Sequence, residues 1–336
     1  MKRLLLAAAV AATALMPTRQ AAAQEAVVLK FGSLAPDGSS WANLLKEWGR
    51  KVEEHTSGKV KVKFYLGGQS GDERDYVRKI KLGNLSGAVV TAIGLGLIQP
   101  EVRALELPML IRTNEELDYV RTKLDGEIRK KFEEKGFVLL SWGDVGPIHI
   151  FSNIPLKSKA DLAQTKLWAW TDDPMVRALF TKLGTPGVPL GVPDVLPSLQ
   201  TGMINACYGS PLSTLALQWH TKVKYVTALH ISQAIGATVL SKKDWDKIPP
   251  DMQKIVMQDA ADLQVKVLKT IRQDNSDALK KLLAQGIQQV ESPAAMVSEF
   301  EQVAVGIRSE LEGSLYSKEF RNRVEALVKE FRAGKK

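Results

Sequence analysis

The chain has one cysteine, Cys207, in 336 residues. No intrachain disulfide can form, so the fold rests on its core and hydrogen bonds. Histidine is scarce as well: His55, His149, His220 and His230 lack the mutual spacing, or the spacing to cysteine and glutamate, that metal ligands usually show. No internal repeat or low-complexity tract is present, and no segment beyond the N-terminal one is apolar enough to be a membrane-span candidate. Basic residues form only small groups, such as Lys59-Lys61-Lys63 and Lys335-Lys336. Without a basic stripe, a nucleic-acid partner is not expected.

Complete catalytic motifs are also lacking. The glycine-rich turn Gly67–Gly71 has no Lys-Ser/Thr to reach phosphate and metal. Gly94-Leu95-Gly96 is followed by Gln99 where a dinucleotide fingerprint needs its third glycine, and Gly68-Gln69-Ser70-Gly71-Asp72 misses the last glycine of a nucleophile elbow. A tight turn presenting a helix start accounts for the stretch. No cofactor, no metal and no enzymatic activity are expected.

What is present fits a soluble globular chain of two domains, with 45% apolar and 25% charged residues. Lys2 and Arg3 precede an apolar run from Leu4 to Leu15, and Gln20-Ala21-Ala22-Ala23-Gln24 supplies a small-residue cleavage site. This pattern predicts a signal peptide over 1–23. Its removal takes Lys2, Arg3 and Arg19 away, so the net charge of +9 becomes 9 − 3 = +6. With no lipoprotein cysteine after the signal, a free periplasmic protein is expected.

Strand and helix patterns alternate from Val27 onward. Trp41, Leu44, Leu45, Trp48 and Val52 share one helical face, which reads Trp41 as core. The alternation predicts an α/β fold with a mainly parallel sheet. Strands are expected at 136–142 and again at 147–153, and Asp173-Pro174 opens a helix. From Pro249-Pro250 the pattern stays helical to about Leu283, too long for one small domain and suited to bridging two.

Two tryptophans, Trp168 and Trp170, stand on one face of a strand in TKLWAWTDDP. That strand belongs to an ordered set of segments: LKFGSLAPDGSSWANLLKEWGRKVEEHTSGKVKVKFYLGGQSGDERDYVRKIKLGNLSGAVV, SNIPLKSKADLAQTKLWAW, VPDVLPSLQTGMINACYGSPLS and YVTALHISQAIGATVLSKKDWDKIPPDMQKIV. The set resembles the solute-binding proteins of tripartite ATP-independent periplasmic (TRAP) transporters, the DctP family, over most of the mature chain. The resemblance implies a two-domain, type II-like periplasmic binding protein fold. Crossing strands and a long bridging helix join the domains, and the ligand sits in the cleft between them. Domain I would hold 24–146 and 236–274, domain II 147–235 and 275–336. The implied partners are a small-molecule ligand, the TRAP-type membrane permease subunits and a periplasmic helical-repeat protein.

The same resemblance implies an arginine, after a Gly-x-Lys-[Leu/Ile/Val] segment, that pairs with a ligand carboxylate. Here Trp168 holds that position, and Ile148 stands nearest to where a second family arginine is common. An indole offers one donor and no charge. Burial of ten methylenes against such a wall would contribute on the order of 8 kcal/mol before association costs. An apolar or amphipathic ligand is therefore expected. The predicted cleft residues are Trp168, Trp170, Trp142, Ile148, Phe151, Tyr208 and Ser210, with Gln69, Asp72 and Glu73 from the domain I turn. One alternative is an organic-acid receptor that uses another cation, Lys157, Lys166 or Arg177. Another is a periplasmic lipid shuttle or scaffold that works with a protein partner.

Overall fold

The computed structural model describes residues 25–171 and 173–334. The predicted signal peptide and Lys335-Lys336 lie outside them. β1 (Val27–Ser33) leads to α1 (Ser40–His55), β2 (Val60–Tyr65), α2 (Glu73–Lys81), β3 (Gly87–Thr91) and α3 (Ala92–Ile98). A 3-10 turn at Pro100–Glu106 precedes α4 (Asn114–Glu134) and the long strand β4 (Phe137–Ser152). Next come α5 (Lys159–Ala163), β5 (Trp168–Trp170), α6 (Pro174–Lys182), β6 (Val188–Leu190), α7 (Val192–Thr201) and β7 (Ala206–Gly209). α8 (Pro211–Ala216), a 3-10 turn at Trp219–Lys222, the second long strand β8 (Tyr225–Ser241), α9 (Lys242–Trp245) and α10 (Pro250–Ala284) follow. β9 (Gln288–Val290), α11 (Ala294–Glu310) and α12 (Lys318–Gly334) are the last elements described.

Local chemistry sets many of these bounds. The Ser39 hydroxyl accepts the backbone N–H of Ala42 to start α1. Asp173 accepts from the N–H groups of Met175 and Val176, and Pro174 occupies the first turn of α6.

The main sheet has the order β2-β1-β3-β8-β4-β7, with β9 beside β8. It is mixed rather than mainly parallel: β1 pairs parallel with β2 and β3, but β8 is antiparallel to both β3 and β4. The reason lies in β4 and β8. Each is long enough to serve both lobes, and they run in opposite directions. Two strands were expected at 136–142 and 147–153; β4 instead runs unbroken through Gly146 and Pro147, with register irregularities there. Gly146 has φ +114°, and an added Cβ would run into the Asn275 side-chain amide. That amide donates to the carbonyl of Val145, while its oxygen accepts the N–H of Leu212. α10 is thereby fixed to both the crossing strand and α8.

The first lobe packs α1, α2 and α3 around β1–β3; the second contains the two-stranded sheet β5-β6 together with β7 and β9. α10, with 35 residues, spans about 52 Å at 1.5 Å per residue. The expected second domain included all of 275–336. α12 instead packs against α4 and the Pro100–Glu106 turn, where Arg332 binds Glu116 and Arg323 binds Glu127.

Candidate functional site

A cavity of about 210 Å³ lies between the lobes where β4 and β8 cross. Its wall on the second lobe is aromatic. β5 is only Trp-Ala-Trp, and its alternation sets both indoles on the cavity side, with ring centres 5.9 Å apart. Trp168 is 2% exposed and stacks on Tyr208 at 4.6 Å with the planes 15° apart. Trp219 meets it edge-on at 5.2 Å. The Trp168 indole N–H is satisfied by the carbonyl of Leu190 at 3.0 Å, so its ring is held by packing and by a hydrogen bond.

The first lobe contributes Trp41, Trp142, Thr91 and Glu73 to the cavity. Trp41 packs against the core cluster of α1, as its helical spacing suggests, and also reaches the cavity wall. It sits at the start of α1, half-buried, and donates to the carbonyl of Asp144 at 3.2 Å. Trp142 donates through its indole to Asp125 at 2.6 Å. Glu73 is wholly buried and accepts three hydrogen bonds: from the Thr91 N–H at 2.7 Å, the Thr91 hydroxyl at 3.0 Å and the Gly94 N–H at 2.6 Å. Burial outweighs these donors and pushes its carboxyl up to about 8, so it is mostly protonated at neutral pH.

A charged cluster that the sequence reading missed completes the wall. Arg103, from the Pro100–Glu106 turn, lines the cavity and is 3% exposed. Its Nη2 donates to Asp173 Oδ1 at 2.9 Å, and its Nη1 lies 3.2 Å from Glu106 Oε2. Among the described residues, Nε and Nη1 have no hydrogen-bond partner. Burial opposes the charge of Arg103, but Asp173 and Glu106 outweigh it and hold the guanidinium protonated. Glu106 also accepts the Ile235 N–H at 2.7 Å; burial lifts its carboxyl to about 7 against the pull of Arg103. A fourth acid in the wall, Asp144, is held by Arg121 at 2.9 Å and Arg272 at 2.7 Å.

Among the predicted site residues, Trp168, Trp170, Trp142, Ile148, Tyr208 and Glu73 line this cavity. Asp72 stands behind it: its Oδ2 accepts the Trp170 indole N–H and the Val192 backbone N–H, each at 3.0 Å. Three residues lie elsewhere. Phe151 is wholly buried in the sheet opposite Cys207 and Val226, on a part of β4 that packs into core. Ser210 is wholly buried and caps α8 through the Ser213 N–H. Gln69 is exposed on its turn. The alternative cations fail similarly: Lys157, Lys166 and Arg177 are all exposed, and Arg177 donates to the carbonyl of Thr171. The signal that could have found Arg103 is a charged residue inside the apolar run Val102-Arg103-Ala104-Leu105, followed by Glu106.

Two lobes, crossing strands, a bridging helix and a cavity between the lobes define a periplasmic binding protein. A family model described as bacterial extracellular solute-binding protein, family 7 (DctP) matches residues 31–310, and the chain belongs to that family, the solute receptors of TRAP transporters. A solute-binding protein of Roseobacter denitrificans is 28% identical over 261 residues, covering 76% of this chain and 79% of that protein. Two solved structures share the fold. One is the sugar acid binding protein DctPAm of Advenella mimigardefordensis in complex with galactonate, at TM-score 0.85, 21% identity and 91% and 99% coverage. The other is DctP7 of Bordetella pertussis, an extracytoplasmic solute receptor binding pyroglutamic acid, at TM-score 0.84, 17% identity and 90% and 100% coverage. These are receptors, not enzymes. The expected helical-repeat partner finds no support among them.

Proposed function

We propose that the solute of this receptor is an organic acid with an apolar or aromatic body, handed on to TRAP-type permease subunits. The observation that carries this reading is Arg103, a buried cation in the cavity wall whose Nε and Nη1 have no hydrogen-bond partner among the described residues. A carboxylate is the group that best pairs with a guanidinium in the wall of such a cavity. Acids bound by the structural neighbours, galactonate and pyroglutamic acid, favour the same class. They favour the organic-acid alternative over the apolar or amphipathic ligand expected from Trp168. The tryptophan wall then serves the body of the acid rather than replacing its counter-ion. For the division of the chain we propose a boundary at the Gly146 and Ala234 crossing, with α12 returning to the first lobe.

A second reading has its own observation. Arg103 already faces Asp173 and Glu106, so a neutral or cation-bearing solute could use the carboxylates and the indole faces instead. Thermal shift against acids, neutral solutes and amines separates the two. A ligand at a hundred times its Kd stabilises by about 2.7 kcal/mol. Acids are expected to shift the wild type and to lose most of that shift in Arg103→Lys, which keeps charge but loses the planar guanidinium. Circular dichroism on the variant separates lost binding from misfolding. Shifts by amines or neutral solutes alone would overturn the proposal.

A further inference from the structure

Resting on the reading that this cavity is the solute site, we infer that Asp72 is the positioning residue that ties the ligand-facing indole of Trp170 to the meeting of the two lobes. One carboxylate oxygen of the first lobe holds two N–H groups of the second. Asp72 Oδ2 accepts from Trp170 Nε1 at 3.0 Å and from the backbone of Val192, the first residue of α7, at 3.0 Å. Its other oxygen accepts the Glu73 N–H at 2.7 Å, so the carboxylate is fixed to the start of α2.

Gly191 shows that the approach is built into the sequence. Its backbone, φ −73° and ψ 159°, suits any residue, so the glycine is not there for its conformation. An added Cβ would instead lie 2.7 Å from Asp72 Oδ2. On the same seam, an added Cβ at Gly68 would lie 3.4 Å from the Pro193 ring. The glycine leaves room for the carboxylate.

Trp170 is the part of this clasp that a solute touches. It lines the cavity and lies beside Trp168, and its backbone N–H donates to the Tyr208 hydroxyl at 3.2 Å. A buried indole N–H needs an acceptor, and Asp72 supplies it from across the cleft. Parting of the lobes removes that acceptor and frees the indole to turn. Placement of the ligand wall and closure of the cleft are thus one event.

Double electron–electron resonance tests this without any solute. Spin labels at Lys81→Cys and Lys222→Cys report the distance between lobes, because both lysines are exposed and Cys207 is buried. Protein is first freed of retained solute by unfolding and refolding. Asp72→Ala and Gly191→Ala are each expected to move the distribution to longer distances. Gly191→Ala leaves the cap of α2 intact, so helix fraying is not the cause there. Asp72→Asn keeps only one acceptor oxygen and sets its NH2 against an N–H on the other side, so it should fall between the parent and Asp72→Ala, as should Trp170→Phe. Unchanged distributions in both Asp72→Ala and Gly191→Ala would overturn the inference. Because the readout uses no acid, it fails or succeeds independently of the organic-acid reading.

Discussion

Trp168 and Arg103 show at the residue scale what a single sequence can and cannot give. Trp168 is legible as a cavity residue because strand alternation and its place before Asp173-Pro174 are local facts. Arg103 is not, because its meaning comes from Asp173, seventy residues away, and from Glu106 after a 3-10 turn with no clear periodicity. The strand around Trp168 shows locally that no cation stands beside it, but not that Arg103 reaches the same cavity from another element. The stacked Trp168 ring predicts that Trp168→Ala costs about 3–5 kcal/mol in urea unfolding, through cavity formation and loss of the Tyr208 stack. Titration supplies a second test. Glu73 and Glu106 have folded pKa values of about 8 and about 7, above the carboxyl value of about 4.3 expected unfolded. The native state then binds more protons than the unfolded one, so stability falls as pH rises through these values. His149 works the other way. Burial lowers it to about 4, so its contribution grows with pH only until its unfolded value of about 6.5. Between pH 6.5 and 8 the two carboxyls act alone in this comparison. Stability should decline there, and Glu106→Gln should reduce the slope.

Helices and their caps were the most legible elements, because a cap is decided within four residues. Ser39 starts α1, and Asp173 starts α6 as the sequence suggests. The long helix was legible from periodicity alone. The unbroken course of β4 was not: Gly146-Pro147 reads locally as a break, and only the partner strand β8 and Asn275 of α10 carry the chain through it. The direction of β8 in the sheet was likewise set by tertiary pairing. Asp173 has two duties, capping α6 and facing Arg103, and this sets a measurable contrast. Ser39→Ala removes a cap alone and should cost about 1 kcal/mol. Asp173→Ala removes a cap and also strips a partner from a buried guanidinium, which alone costs about 3–5 kcal/mol. Urea unfolding of the two variants should differ by a factor of three or more. Equal losses would mean that Glu106 alone satisfies Arg103.

At the scale of the whole molecule, the two lobes enclose a cavity that is aromatic on the second lobe's side and has a buried arginine–carboxylate cluster in its wall. The two lobes were legible through ordered family-like segments. The C-terminal return of α12 to α4 was not, since an amphipathic helix does not declare its partner. The organic-acid reading holds that the acid's charge meets Arg103 while its body lies on Trp168. The most direct measurement is a crystal structure of the protein with the tightest acid from the thermal-shift panel. A carboxylate hydrogen-bonded to Arg103, with the rest of the molecule against Trp168 and Trp170, is the predicted result. An acid held away from Arg103, or a cavity that accepts only amines or neutral solutes, would contradict it.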